Sequence, residues 1–364
     1  MSECPQLLAC VEAAGGAIGK VVLKSEPGLG RGVYAKEDLK KGDVLFRLPD
    51  SLIVTTERAL KSSLGQYLGG CCKIVKSGAG EQTVIEAAAG RDGGAAAQES
   101  SSSGSSGSGV DTLPELTERS VLYAYVLQAR HCAAVTIDLA DDEVDCNEYA
   151  RSLPVSFSTP FAWRAELRLL PAPMDDLDHD GVDLVSELGN LGQHLQEQFA
   201  VLKAALASNN HALQQSGQLK VSNWLWAHQA YSSRCFPRSC LSSSAIAATV
   251  DETDSQAVES DGVMVPLLDM FNSVEDPSAA NWTSNVSWEA ERGEACVNCD
   301  VAAGSQIFSS FGPKGNRTLL ACYGYCRWGN PFERVAIWVS SLRLLSRDEA
   351  DGDENMRTLQ VRCC

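Results

Sequence analysis

The amino-acid sequence predicts an α+β fold in which small β-sheets are interrupted by a long helical segment. Three observations carry that expectation. Short apolar runs separated by glycine turns follow one another up to Asp50. This is the pattern of short strands in small sheets, not of a doubly wound parallel sheet. Helical spacing dominates the middle of the chain, and short strand-like runs return from Met264 onward.

Taken in order, Leu7 to Ala14 reads as a short helix ended by Gly15 and Gly16. Val21 to Leu23 reads as a strand. Gly28, Gly30 and Gly32 read as a tight loop, with Val33 to Ala35 starting the next strand. Lys41-Gly42-Asp43 is a turn before the strand Val44 to Leu48, which Pro49-Asp50 closes. From Ser77 to Asp111 the composition collapses into Gly, Ala and Ser. Such a stretch cannot bury enough apolar area to offset its ordering entropy, so residues 77–111 are expected to be a disordered loop. A second polar stretch runs from Ser239 to Asp261. Between the two, Ser120 to Ala133 reads as an amphipathic helix, and Val185 to Leu206 as another. The second places Leu188, Leu191, Leu195, Phe199 and Leu202 on one face. Trp224 to Ala230 reads as a third helix. Met264-Val265, Cys296 to Val301 and Gln306 to Ser309 read as strands, and there is no internal repeat.

The chain has 364 residues, 44% hydrophobic and 21% charged, an ordinary globular balance that can bury a sizeable core. Lys+Arg number 30 against Asp+Glu 47, a formal net charge of -17. A field of that sign repels phosphate backbones and anionic lipid. It argues against nucleic-acid and membrane partners and suits a basic protein partner. No apolar run approaches the roughly 20 residues that span a bilayer. The N-terminus lacks a basic region and Leu7 to Ala14 holds Glu12, so no signal peptide is expected. The expected setting is intracellular, cytoplasm or nucleus, with the 14 cysteines reduced and the sequons at Asn281, Asn285 and Asn316 chance matches.

Several motifs carry a bland reading. GLGRG at Gly28 to Gly32 has neither the spacing of a dinucleotide fingerprint nor a helix after it. Asp176 to Gly181 with Glu187 fits a calcium-loop pattern. Asp183 stands at its apolar position, however, and Pro171 and Pro173 disrupt the incoming helix. A solvated acidic loop is the expectation there, with calcium the alternative. Cys296-x-x-Cys299 has no second ligand pair, so two strand thiols and no metal are expected. Cys363-Cys364 lacks a prenylation match, and no Ser-His-Asp order stands out.

Five blocks are more specific together than apart. GLGRG is followed by YARSLPVSFSTPFAW (Tyr149 to Trp163), AYSSRCF (Ala230 to Phe236), VPLLDMFNS (Val265 to Ser273) and FSSFGPKGNRTLLACYGYCRWGNPFE (Phe308 to Glu333). In this order they resemble the SET-domain protein methyltransferases. The branch most similar is that of the Rubisco large-subunit lysine methyltransferase, whose SET domain is split by a helical insertion. The family pattern runs GxGxxA, SLP, SRxF, DxxNH, YGxxxNxxLLxxYGF, NP. The resemblance spans residues 7–338 apart from the two low-complexity stretches.

The resemblance implies a SET core of small curved β-sheets. Residues 1–60 and 221–338 would be its two parts, with an insertion at 61–220 that is mostly helical over 112–220. Residues 339–364 would be a short tail, leaving the family's helical substrate-binding domain absent or vestigial. It also implies S-adenosyl-L-methionine as cofactor, no metal, and methyl transfer to a protein side chain. Lysine is the first acceptor and histidine a further one, since the same branch has a histidine-methylating member. Gly28, Leu29 and Gly30 would meet the cofactor through backbone, and Arg234 would pair with its carboxylate. Asp269 to Ser273 would cradle the adenosine and amino-acid parts, Asn272 above all. Ser273 replaces a family His that mainly offers backbone groups. Tyr323 would stand beside the methyl-transfer channel.

One departure bears on catalysis. Where the family places a catalytic tyrosine before the Gly of YGxxxN, this chain has Phe311. Two readings stay open. One is a slow enzyme, or one in which Tyr323 or Tyr325 supplies the hydroxyl. The other is a non-catalytic SET-fold protein that binds cofactor or a partner.

Overall fold

The computed structural model describes residues 2–27, 30–77, 113–132, 147–162, 184–207, 211–241, 262–273 and 285–333. Gly28, Leu29, the Gly/Ala/Ser loop after Ser77, the acidic segment from Asp176 to Asp183, most of the second polar stretch and the tail lie outside them.

Helix α1 (Pro5–Ala13) carries Pro at its start and buries Leu7 and Val11. Gly15, at φ +86°, turns the chain away from it. Strands β1 (Ala17–Ile18), β2 (Val21–Glu26), β3 (Gly30–Ala35) and β4 (Val44–Arg47) follow. The glycines expected in a loop are therefore partly in a strand. Gly30 pairs with Glu26 and Gly32 with Lys24.

Helices α2 (Thr56–Lys61) and α3 (Ser63–Cys71) are each capped by the hydroxyl before them. Thr55 accepts from the Arg58 amide and Ser62 from the Gly65 amide, both at 3.1 Å. Strand β5 (Lys73–Val75) pairs in parallel with β6 (Glu115–Thr117). Helix α4 (Glu118–His131) departs from the amphipathic expectation, since Arg119 to Ala129 are buried on every side. It runs through the middle of the helices, packed by α2, by α5 (Asn147–Ser152) and by α8 (Val221–Arg234). Two of its polar residues, Arg119 and Ser120, meet partners there, while Gln128 Oε1 is buried without a hydrogen-bond partner among the described residues. The Ser120 hydroxyl donates to Gln198 Oε1 at 3.2 Å, and Arg119 lies over the Tyr231 ring. Helix α6 (Leu184–Ala207) keeps the apolar stripe read from the sequence, with Leu191, Leu195, Phe199 and Leu202 buried. The short α7 (Ala212–Gln215) precedes α8.

Strand β7 (Cys235–Phe236) pairs with β8 (Val263–Met264). Then come β9 (Asn272–Ser273), β10 (Val286–Glu289), β11 (Glu294–Val297) and β12 (Gln306–Ser309). β11 ends before Cys299, and Val301 joins only an isolated bridge to Leu39. The last described helix, α9 (Asn316–Thr318), runs into a π-helical turn at Leu319–Tyr323.

Two four-stranded sheets result, ordered β1-β4-β11-β10 and β2-β3-β12-β9. Each joins strands from the first part of the chain to strands from the last. Their facing sides share one core, in which the Phe46 and Phe271 rings stack with centroids 6.1 Å apart. Arg47 on β4 pairs with the nearly buried Glu294 on β11.

Candidate functional site

The sheet β2-β3-β12-β9 sets three distant motifs side by side. β12 pairs antiparallel with β3, through Gln306 to Tyr34 and Ile307 to Val33. On its other side it pairs in parallel with β9, through Phe308 to Asn272 and Ser309 to Ser273. Gly32 makes this crossing close. A Cβ there would lie 2.2 Å from Gln306 Nε2 and 3.1 Å from Asn272 Nδ2. Gly30, at φ +71°, has open space where a Cβ would stand, so its backbone is accessible from that side.

Asn272 and Ser273 are delivered by a forced turn. Leu267 holds φ +66°, a conformation that costs a bulky residue about 1–3 kcal/mol. The short 3-10 turn Leu268–Met270 follows and buries Leu268 and Met270. The Asp269 side chain is 0% exposed and that of Arg234, at the end of α8, is 17% exposed. Arg234 Nη1 donates to Asp269 O at 2.8 Å and to Asp269 Oδ2 at 3.1 Å. The Tyr149 hydroxyl, from α5, donates to the same Oδ2 at 2.8 Å. Asp269 Oδ1 and Arg234 Nε are buried without a hydrogen-bond partner among the described residues. A buried donor and a buried acceptor left open in this way suit the two charged groups of an amino acid.

Beyond β12 the chain reaches Phe311, whose ring stacks on Tyr323 with centroids 4.6 Å apart and planes 22° from parallel. Beside this pair lies a cavity of about 100 Å³ lined by Ser273, Ser310, Phe311, Gly312, Arg327 and Phe332. Asn316 fastens one wall: its Oδ1 accepts from the Arg327 amide at 2.7 Å and its Nδ2 donates to Arg327 O at 2.9 Å. Asn330 Nδ2 donates to Lys314 O at 2.9 Å across the same loop. Tyr323 is held from behind by Gly324. At φ +81°, a Cβ on that glycine would come 2.0 Å from Ser158 O, which ties the segment after Ser-Leu-Pro to the π-turn.

The structure thus brings Gly30, Asn272 and Ser273 into one sheet, Arg234 onto Asp269, and Phe311 onto Tyr323, with Ser273 reaching the cavity that Phe311 lines. Gly28 and Leu29 lie outside the described residues. Tyr149, Gln306 and Gly324 were not singled out by sequence. Tyr149 stands in a quoted motif, but nothing in its spacing points to Asp269. Cys299 Sγ accepts from Asn285 Nδ2 at 3.0 Å. Among the described residues no group of three or more His, Cys, Asp or Glu could hold a metal, and no helix is long and apolar enough to cross a membrane.

No family model matches the chain. It is 31% identical over 118 residues to the ribosomal lysine N-methyltransferase set10 of Schizosaccharomyces pombe, covering 32% of this chain and 19% of that protein. Over 48 residues it is 44% identical to the SET domain-containing protein 4 of Mus musculus, covering 13% of this chain and 11% of that one. Among solved structures, Rubisco LSMT bound to AdoMet superimposes with a TM-score of 0.54 at 15% identity, covering 90% of this chain and 57% of that one. The SET domain of LSMT bound to lysine and AdoHcy gives 0.53 at 15% identity, covering 89% and 57%. The matches cover less than a fifth of the curated relatives and little more than half of the LSMT chains. The chain thus has the fold of the SET-domain structures of Rubisco LSMT, and part of its sequence is similar to a curated ribosomal lysine N-methyltransferase.

Proposed function

We propose that this chain transfers a methyl group from S-adenosylmethionine to a lysine side chain of a protein substrate. One observation carries the reading: β3, β12 and β9 gather Gly30, Asn272 and Ser273 beside the Phe311–Tyr323 pair. That gathering occurs in the fold of a structure solved with AdoMet bound. The residues fit such a cofactor. Arg234 Nε, buried and open, would take its carboxylate, and Asp269 Oδ1 its ammonium. The backbone at Gly30 admits a close approach, and Asn272 Nδ2 lies against the same strand. The cofactor supplies an electrophilic methyl on a positive sulfur. The chain does the rest by holding and orienting. An apolar wall of Phe311 and Tyr323 disfavours a charged amine, so the incoming lysine loses its proton and can attack in line.

Residues 1–60 and 221–338 are taken as the two parts of the SET core and 61–220 as the insertion, supported by sheets built from both ends of the chain. The similarity to the ribosomal lysine N-methyltransferase set10 supports lysine as acceptor and an intracellular setting. The net charge of -17 supports a basic substrate and speaks against nucleic acid. Phe311, which lacks the family hydroxyl, favours a second reading, a SET-fold protein that binds cofactor or a partner without turnover. Incubating the full chain with methyl-labelled S-adenosylmethionine and an unmethylated cell extract separates the two. Label in lysine supports transfer. Cofactor binding with no label in any protein supports the second reading.

A further inference from the structure

We infer that Tyr149 is a positioning residue for the cofactor site, acting through Asp269 on Arg234; the inference rests on the function proposed above. Tyr149 belongs to α5, in the segment read as the insertion, yet its hydroxyl ends on the Asp269 carboxylate at 2.8 Å. That carboxylate oxygen also takes Arg234 Nη1 at 3.1 Å, and the same nitrogen is held by Asp269 O at 2.8 Å. A guanidinium is planar, so fixing Nη1 twice fixes the direction in which Nε points. Nε is buried without a hydrogen-bond partner among the described residues, and is the donor that the proposed function gives to the cofactor carboxylate. The Asp269 side chain is 0% exposed, so water cannot replace the phenol. With the hydroxyl gone, Asp269 Oδ2 keeps one charged donor and is free to swing toward it, carrying the guanidinium plane along. The Tyr149 ring itself is 2% exposed and packed in the core. It stands against the carboxylate rather than in the cavity lined by Phe311, so its effect falls on cofactor affinity and not on the chemical step.

The test compares the full-length wild type with Tyr149→Phe, which keeps the ring and its packing. The KM for S-adenosylmethionine should rise about tenfold or more with kcat within about twofold. Titration with S-adenosylhomocysteine should show the same loss in Kd. Asp269→Asn serves as the second variant: in its background Tyr149→Phe should add little, because the hydroxyl acts through that carboxylate. An unchanged KM in a folded Tyr149→Phe protein overturns the inference. So does a fall in kcat and melting temperature with KM preserved, which marks a purely structural tyrosine. Failure of the wild type to bind cofactor removes the functional reading itself and this inference with it. Wild-type binding with an indifferent Tyr149 removes only the inference.

Discussion

Adding one oxygen at Phe311 is the most informative perturbation of the site. The ring already stacks on Tyr323 at 4.6 Å and lines a cavity of about 100 Å³. A water needs only about 10–15 Å³ of such volume, so the cavity is large enough for one added oxygen. The overpacking cost of about 1–3 kcal/mol seen in filled cores is then not incurred. Phe311→Tyr should leave the melting temperature within about 2 °C. If the absent hydroxyl is what limits methyl transfer, one preorganised donor returns about 100-fold in kcat, or ~2.7 kcal/mol of barrier. The assay is single-turnover transfer of labelled methyl to protein at saturating cofactor, with calorimetry confirming equal cofactor affinity in both forms. A wild-type kcat already near about 1 s⁻¹ refutes the idea that Phe311 is a handicap. So does an unchanged rate in a Phe311→Tyr protein that folds and binds cofactor normally.

Gly324→Ala should cost at least about 2 kcal/mol in urea unfolding, because φ +81° and a Cβ 2.0 Å from Ser158 O penalise it twice. Gly304→Ala, with φ +80° and nothing within 4 Å, serves as its control and should cost about 1 kcal/mol. Asp269→Asn should destabilise the fold by about 3–5 kcal/mol, since it leaves Arg234 largely buried beside a neutral group; calorimetric melting checks this. Acid should weaken the β-sheet end around Asp43 and Asp300. The Lys40 amide, with Lys20, lowers the Asp43 pKa, and the Lys40 ammonium, with the Lys41 amide, lowers that of Asp300. Depressed folded values mean stability that is full above the ordinary carboxylate pKa of about 4 and is lost as pH falls through the lowered values. Asp300→Asn should therefore flatten the melting-temperature profile below about pH 4.

Local pattern made much of the fold legible. Helix α6 follows its apolar stripe within a residue at either end, and β2, β4 and β12 lie where short apolar runs meet turns. Helix α4 was misread for a physical reason. Arg119 and Ser120 look like a solvent face until Gln198 and the Tyr231 ring, far along the chain, supply partners. The glycine block was read as loop throughout because three spaced glycines mark a turn. In the structure Gly32 serves the sheet, giving room to the amides of Asn272 and Gln306. The same limit hid Tyr149. A hydrogen bond from α5 to Asp269 joins two residues whose types and spacing carry no periodic signal. Asn316 lay within the YGxxxN pattern, but only the fold shows that it fastens the backbone of Arg327.

Titration calorimetry of the full chain with S-adenosylhomocysteine tests the cofactor site most directly. Arg234 and Asn272 come from separate motifs and are linked through Asp269, which Arg234 holds three residues before Asn272. The wild type should bind with a Kd of about 100 µM or tighter, in the usual range for enzyme ligands. The Arg234→Ala, Asn272→Ala double variant should lose about 100-fold or more, since a charge-assisted contact and an amide contact go together. Binding of equal strength in the folded double variant, or no binding by the wild type, contradicts a cofactor site at these residues.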